Sequence, residues 1–322
     1  MTARDPHLAS EALIGLRAYE QAPRRDRPPA KPEIARVRGA ALRDHGGEGP
    51  PAVLVPSLIN PPRILDLDER VSLTGAIARM GYRALLVDWG KAEDRQELTV
   101  GGHIEELLLP LLRSIGKRQA LIGYCLGGTM AIAAANLVNV ERVVTLAAPW
   151  NFSRYPESSK RALQEMWRHS EAAAKALGAL PMEVLQAAFW SIDPERTVRK
   201  FAEFGRHDPA DTDARRFVEL EEWANEGEPL PYPAAKELVD ELFGNDLSGS
   251  GRWCVGGRMV SDKLTVPALH LTAERDLIAP PQTAASGHVV AIPSGHVGMI
   301  VGSARTRLRN ELRTFLSPSL RA

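Results

Sequence analysis

The chain has 322 residues, 44% of them hydrophobic, and its 40 lysines and arginines equal its 40 aspartates and glutamates, so there is no overall field to attract nucleic acid or an acidic membrane surface. Its two cysteines, Cys125 and Cys254, are too few for a disulfide framework. Its apolar runs, such as residues 107–112, fall well short of the ~20 residues of a bilayer span, and the region around Arg4 and Asp5 lacks a secretory apolar core, so the expected address is cytoplasmic.

Taken in order, residues 8–21 predict an amphipathic helix with Leu8, Ala12, Leu16 and Tyr19 on one face, ended by a Pro/Arg-rich connector at 23–32. Residues 34–42 alternate weakly and predict one early strand, followed by a Gly/Pro-rich turn at 44–51. A short buried strand at 52–55 runs into the loop Pro56-Ser57-Leu58-Ile59-Asn60-Pro61-Pro62. A helix at 67–80 comes next, then a buried strand at 83–87 that ends in Asp88-Trp89-Gly90, and a helix at 100–115. The following apolar run at 119–122 predicts a strand, the alanine-rich segment 129–137 a helix, and 142–146 a further strand. This alternation predicts an α/β fold with a mostly parallel sheet and helices on both faces.

After Pro149 the alternation stops. Residues 160–177, 182–190, 211–225 and 234–242 predict helices, which read as a helical cap inserted into the sheet order. The parallel pattern resumes at 266–272 and 289–292 and closes with an amphipathic helix at 304–316. The expected organisation is an N-terminal helix and connector at 1–33, a core of 34–150 with 264–322, and a cap at 151–263.

The stretch that organises this pattern is Gly123-Tyr124-Cys125-Leu126-Gly127-Gly128, between a strand and a helix. It matches the Gly-x-nucleophile-x-Gly elbow of α/β-hydrolases, with cysteine where the nucleophile stands. Glycines belong two residues either side because a side chain there would collide with the neighbouring strand or helix. The sulfur is then expected to stand exposed at a helix N-terminus, where the dipole favours a thiolate. The six residues alone fit equally a βα turn around an inert buried cysteine.

A thiol nucleophile needs a base within reach, and the base needs a third group to hold its tautomer. In α/β-hydrolases the chain order is nucleophile, acid, histidine, the last two on loops after late strands. Asp276 follows the strand at 266–272, and His296 follows the last strand in Gly295-His296-Val297-Gly298. Three residue types at three strand ends in the required order are far more specific than the elbow alone. Glu274 is an alternative acid, Asp276 also suits a turn cap, and His296 between glycines also suits a turn. His270 reads as a packed core histidine, and His103, His207 and His288 have no partner pattern. No spacing of His, Cys, Asp and Glu suggests a metal site.

On these residues the chain resembles polyhydroxyalkanoate synthases of the α/β-hydrolase superfamily, most closely the shorter, class III type that works with a second, non-catalytic subunit. The matching pieces include Gly15-Leu16-Arg17-Ala18-Tyr19, Asn60 with Leu65-Asp66-Leu67, Asp88-Trp89-Gly90, Gly123-Tyr124-Cys125-Leu126-Gly127-Gly128-Thr129 and Trp223-Ala224-Asn225. Further matches are Asn245-Asp246-Leu247 with Gly249, Asp276 with Pro280-Pro281, and Gly295-His296-Val297-Gly298. The resemblance implies an acyltransferase that takes 3-hydroxyacyl groups from coenzyme A thioesters and joins them into a polyester through an acyl-cysteine, with no cofactor. It implies Cys125 as nucleophile, His296 as base and Asp276 as its orienting acid, with the backbone amides of Leu126 and Leu58 on the oxyanion. Asn60, Asp88, Trp89 and Tyr124 become candidates for the substrate pocket. Association with polyester granules is a further implication.

The chain departs from the family pattern at Pro61, Pro62 and Arg63, at Lys91-Ala92, and at Asn151-Phe152, where the family carries Asp-Phe. Its interval from Asp276 to His296 is also short. These changes leave the three catalytic candidates in place and touch pocket and entry loops. The alternatives are a cysteine-dependent thioesterase or ester hydrolase on the same scaffold, and a non-catalytic homologue acting as a subunit. Trp167, Trp190 and Trp223 in the cap either pack in a homodimer or against a second subunit, or complete the monomer core.

Overall fold

A computed structural model describes residues 5–208 and 211–317; the outer ends of the predicted segments 1–33 and 264–322, and residues 209–210 of the segment 151–263, lie outside the described residues. Eight strands form the main sheet: β1 (Glu33–Val37), β2 (Ala40–Asp44), β3 (Pro51–Val55), β4 (Arg83–Asp88), β5 (Ala120–Tyr124), β6 (Arg142–Leu146), β7 (Ala268–Ala273) and β8 (His288–Ile292). Their order across the sheet is β1-β2-β4-β3-β5-β6-β7-β8. From β4 to β8 every pairing is parallel, and β1–β2 and β2–β4 are antiparallel. Strands β3, β5 and β6 are buried at all five positions, which is why they read as unbroken apolar runs: a parallel strand covered on both faces has no solvent side to alternate towards.

The single strand expected at 34–42 is a hairpin. Arg38 takes a left-handed φ of 52° and, with Gly39, turns the chain between β1 and β2. The helix expected over 67–80 is also shorter. A 3-10 turn at Pro62–Asp66 precedes it, and the helix proper is Leu73–Arg79. Between them the Asp68 carboxylate accepts from the amides of Arg70 (2.7 Å) and Val71 (3.2 Å), and Ser72 Oγ accepts from Gly75 N at 2.7 Å. Short polar side chains that satisfy nearby amides compete with helix in this way. Residues 100–114 are continuously helical, with a π-type stretch at His103–Leu108.

Between β6 and β7 the chain is mostly helical: Glu157–Leu177, Met182–Ile192, Pro194–Phe204, Thr212–Asn225, Tyr232–Lys236 and a π-type turn at Glu237–Gly244. The helix Pro194–Phe204 was not expected. Its start is nevertheless written in the sequence, since Asp193 caps it by accepting from Arg196 N at 3.0 Å and proline holds its first position.

Packing divides the chain into two compact units, one of residues up to 30 with 182–227 and one of 31–181 with 228 onwards. In the first, the helix Pro6–Gln21 lies so close to the helix Pro194–Phe204 that a Cβ on Gly15 would stand 1.7 Å from the Phe201 carbonyl oxygen. Tyr19, Phe201, Phe204 and Phe217 fill the contact with edge-to-face and stacked rings. The second unit holds the eight-stranded sheet. Trp167 and Trp223 are buried, whereas Trp190 is 44% exposed.

Candidate active site

β5 ends at Tyr124, and the helix Leu126–Ala135 begins one residue later. The chain makes this reversal on Cys125, which is held at φ 55°, ψ −132°, a conformation that costs a non-glycine residue ~1–3 kcal/mol unless the surroundings enforce it. They do so through two hydrogen bonds, Cys125 N to Leu146 O at 2.9 Å and Gly128 N to Cys125 O at 2.8 Å. A Cβ on Gly123 would lie 2.4 Å from the Gly127 oxygen, and one on Gly127 would lie 2.1 Å from the Val55 oxygen. The flanking glycines therefore let the helix start against β5 and the end of β3. Cys125 was expected exposed; it is half-buried.

His296 and Asp276 come to the same place from the loops that follow β8 and β7. Both are buried, at 8% and 3% exposure. His296 Nδ1 lies 2.7 Å from Asp276 Oδ2, and the Cys125 side chain neighbours its ring. The other carboxylate oxygen, Oδ1, accepts from the amides of Ile278 (2.8 Å) and Ala279 (2.9 Å). Burial alone would drive the His296 imidazolium to lower pKa. The negative charge and the hydrogen bond of Asp276, with a further contribution from the neighbouring Cys125, outweigh it and raise His296 to about 10. Glu274, the alternative acid, is exposed.

The remaining candidates are distributed differently. Tyr124 is buried with its ring centroid 5.1 Å from that of His296, and its hydroxyl donates to the His296 carbonyl at 3.4 Å. Trp89 is 4% exposed, donates its indole N–H to Pro56 O at 3.2 Å, and so sits against the loop that carries Leu58. Leu58 itself is buried and Asn60 half-buried in that loop. Asp88 accepts from Arg43 Nε at 2.8 Å and from Gly90 N at 3.2 Å, so its carboxylate is committed to the junction between β2 and β4. His270 is a core histidine, with Nδ1 2.9 Å from Thr145 Oγ1. His103 is buried against Arg95, 3.0 Å away, and burial holds it down to about 4.

One neighbour was not visible in the sequence. Tyr155, 6% exposed, lies beside this cluster and donates its hydroxyl to Ile278 O at 2.8 Å. Burial, reinforced by the charges of Cys125 and Asp276, pushes its phenol well above its usual range. No spacing rule connects Tyr155 to residues 121 to 123 positions further on, so only the folded chain reveals the contact. Among the described residues no group of three or more His, Cys, Asp and Glu side chains could hold a metal ion, and no helix is long and apolar enough to cross a membrane.

No family model matches the chain. An epoxide hydrolase of Bacillus megaterium superposes with a TM-score of 0.59 at 13% identity, over 88% of this chain and 99% of that one. The sequence is 25% identical over 272 residues to the poly(3-hydroxyalkanoate) polymerase subunit PhaC of Haloferax mediterranei, covering 79% of this chain and 55% of that protein. The fold is that of α/β-hydrolases, and the sequence resembles the polyhydroxyalkanoate synthases. The PhaC subunit of Haloarcula marismortui is 24% identical over 84% of this chain and 61% of its own length. The chain thus spans a little over half the length of these two relatives.

Proposed function

We propose that the chain is a polyhydroxyalkanoate-synthase-like acyltransferase that moves 3-hydroxyacyl groups from coenzyme A thioesters through an acyl-cysteine on Cys125. The observation that carries this reading is a cysteine on a strained elbow beside a buried histidine, whose Nδ1 meets a buried aspartate at 2.7 Å. The likeness to polymerase subunits supplies the acyl class. Of the synthase types, the reading favours the shorter one, acting with a second subunit.

In this mechanism His296 takes the Sγ proton of Cys125 while Asp276 stabilises the imidazolium. The thiolate attacks the thioester carbonyl, and the backbone amides of Leu126 and Leu58 hold the oxyanion. Collapse breaks the carbon–sulfur bond to coenzyme A, whose thiolate leaves with the proton from His296. The acyl-cysteine is itself a thioester, so the exchange is close to thermoneutral and the intermediate is not a trap. His296 then takes the proton of a 3-hydroxyl on a second acyl unit. That oxygen attacks the acyl-cysteine, a new ester forms, and the Cys125 sulfur leaves and is reprotonated. Water in place of the hydroxyl gives a free acid, so polymer formation demands its exclusion. We assign that task to the parts of the helical insertion that belong to the same unit as the sheet, residues 151–181 and 228–263.

The test is to mix purified protein with 3-hydroxybutyryl-coenzyme A, beside a Cys125→Ala control, and to follow both coenzyme A release and the fate of the acyl group. Cys125-dependent insoluble polyester is expected. Cys125-dependent release of free acid alone would replace the proposal with a thioesterase.

A further inference from the structure

The turn that carries Asp276 needs support from outside itself. Leu277, at its tip, is 53% exposed, while Asp276 and Ala279 are buried. The carboxylate orientation depends on this turn: Oδ1 is held by the amides of Ile278 and Ala279, and only while they stay in place does Oδ2 face His296 Nδ1 at 2.7 Å. The peptide carbonyl of Ile278 lies directly between those two amides in the chain. It receives the Tyr155 hydroxyl at 2.8 Å.

Tyr155 is itself well anchored. It ends a segment that begins where β6 leaves the sheet, and that segment is sewn along the far side of the same turn. The amides of Trp150 and Asn151 donate to Thr283 O at 2.7 and 2.8 Å, and Asn151 Nδ2 donates to Ala284 O at 2.6 Å. Phe152 N donates to Asp246 Oδ1 at 2.8 Å. The Tyr155 ring stacks on Phe152 at 5.8 Å and lies 4.7 Å from Phe243. A rigid aromatic arm thus reaches the one peptide whose position sets the carboxylate.

We propose that Tyr155 is a positioning residue for the Cys125–His296–Asp276 site, its hydroxyl clamping the turn that aims Asp276 at His296. This rests on reading those three residues as nucleophile, base and orienting acid. The clamp acts through Asp276, so its loss weakens the support of the imidazolium without removing any of the three groups. The ionisable groups facing His296 include Asp276, Cys125 and the buried phenol of Tyr124, and Tyr155 in turn faces Cys125 and Asp276.

The experiment needs no substrate. The rate of iodoacetamide alkylation at Cys125, read on its own peptide by mass spectrometry so that Cys254 is counted separately, is compared in the parent, Tyr155→Phe and Asp276→Asn, with N-acetylcysteine as reference. The titration midpoint of His296 is read in the same proteins by NMR. Tyr155→Phe keeps the ring stack and deletes one hydrogen bond. It is expected to slow alkylation about 2- to 12-fold and to lower the His296 midpoint, with Asp276→Asn moving both in the same direction and further. A purely structural tyrosine would change the melting temperature and leave the His296 midpoint in place, which overturns the inference. If the parent reacts no faster than N-acetylcysteine and Asp276→Asn changes nothing, the reading of the three residues itself falls. Should Tyr155→Phe fail to fold, Thr283→Val serves instead: it deletes a hydroxyl that bonds Pro280 O at 2.7 Å and meets Tyr155, and it is expected to lower the same midpoint.

Discussion

Gly127→Ala tests whether the elbow is packed as tightly as its geometry indicates. The added methyl would stand 2.1 Å from the Val55 oxygen and 2.5 Å from the Pro56 oxygen. Both are backbone atoms at the end of an interior strand, so neither can swing aside as a side-chain tip would. A carbon next to a carbonyl oxygen normally keeps ~3.3 Å, so the helix Leu126–Ala135 must retreat by roughly 1 Å. Overpacking of this kind costs ~1–3 kcal/mol, and here the rigidity of the obstacle favours the upper end. The ~1 kcal/mol by which alanine exceeds glycine in a helix interior counts for less in a first turn, so a net loss of about 2 kcal/mol or more is expected. Gly101→Ala is the matched control. It too lies in the first turn of a helix, but its nearest neighbours would be 3.5 Å or more from the methyl, and a gain of ~0.5 kcal/mol is expected. Urea unfolding midpoints at constant slope measure both. A Gly127→Ala protein within 0.5 kcal/mol of the parent would refute the packing argument.

The raised proton affinity of His296 links stability to pH. Its contribution is complete below the unfolded value of ~6.5 and is lost as pH rises through the folded value of about 10. The stability gap between the parent and Asp276→Asn should therefore be largest near pH 6 and narrow towards pH 10, and a gap that stays constant in denaturation series would contradict it. Asp66 has the opposite sign. Burial would raise its carboxyl, but hydrogen bonds with His45, Ser72 and Thr74 prevail and hold it at about 2. Its contribution is present above the unfolded value of ~3.9 and is lost as pH falls through about 2. Since Asp66 is partly solvent-screened, Asp66→Asn should cost only ~1 kcal/mol at pH 6 and nothing at pH 2, measured by the same unfolding series. Asn151→Asp replaces the amide that donates to Ala284 O with an acceptor facing an acceptor. A loss of ~1–3 kcal/mol is expected at pH 7, shrinking at pH 4 where a protonated acid can donate, and equal losses at both would argue against it.

The sheet was legible because its interior strands are uniformly apolar and the residues at their ends are not. Cys125 and Asp276 follow interior strands and His296 follows the edge strand β8, so strand ends and chain order led to all three without any contact being known. Local chemistry defeated the pattern elsewhere. Arg38 in a left-handed conformation split one expected strand into two, and Asp68 with Ser72 shortened an expected helix from its start. The helix Pro194–Phe204 escaped because charge masks its apolar face, though its cap and proline announce it. Asp88 and Trp89 share a strand end that suggested a substrate pocket; ladder partners and the loop above claim their polar atoms instead. Tyr155 and the His45–Asp66 pair, joined at 2.8 Å, depend on contacts between distant segments, and no local periodicity encodes those.

The wide spread of the three site residues along the chain bears on how the protein is made. Cys125 leaves the ribosome after β3 and β5 and shortly before β6, but Asp276 and His296 follow some 150 and 170 positions later. At ~5–20 residues per second, the nascent chain carries its sulfur for roughly ten to thirty seconds before Asp276 and His296 are made. β7 and β8 are the last two strands of the sheet, stacked in turn on β6, so their docking both closes the sheet and delivers the acid and the histidine. A product interrupted before β7 keeps the elbow sequence yet has neither partner. On the reading proposed for these residues, the addition of β7 and β8 is the step that supplies both partners of the cysteine.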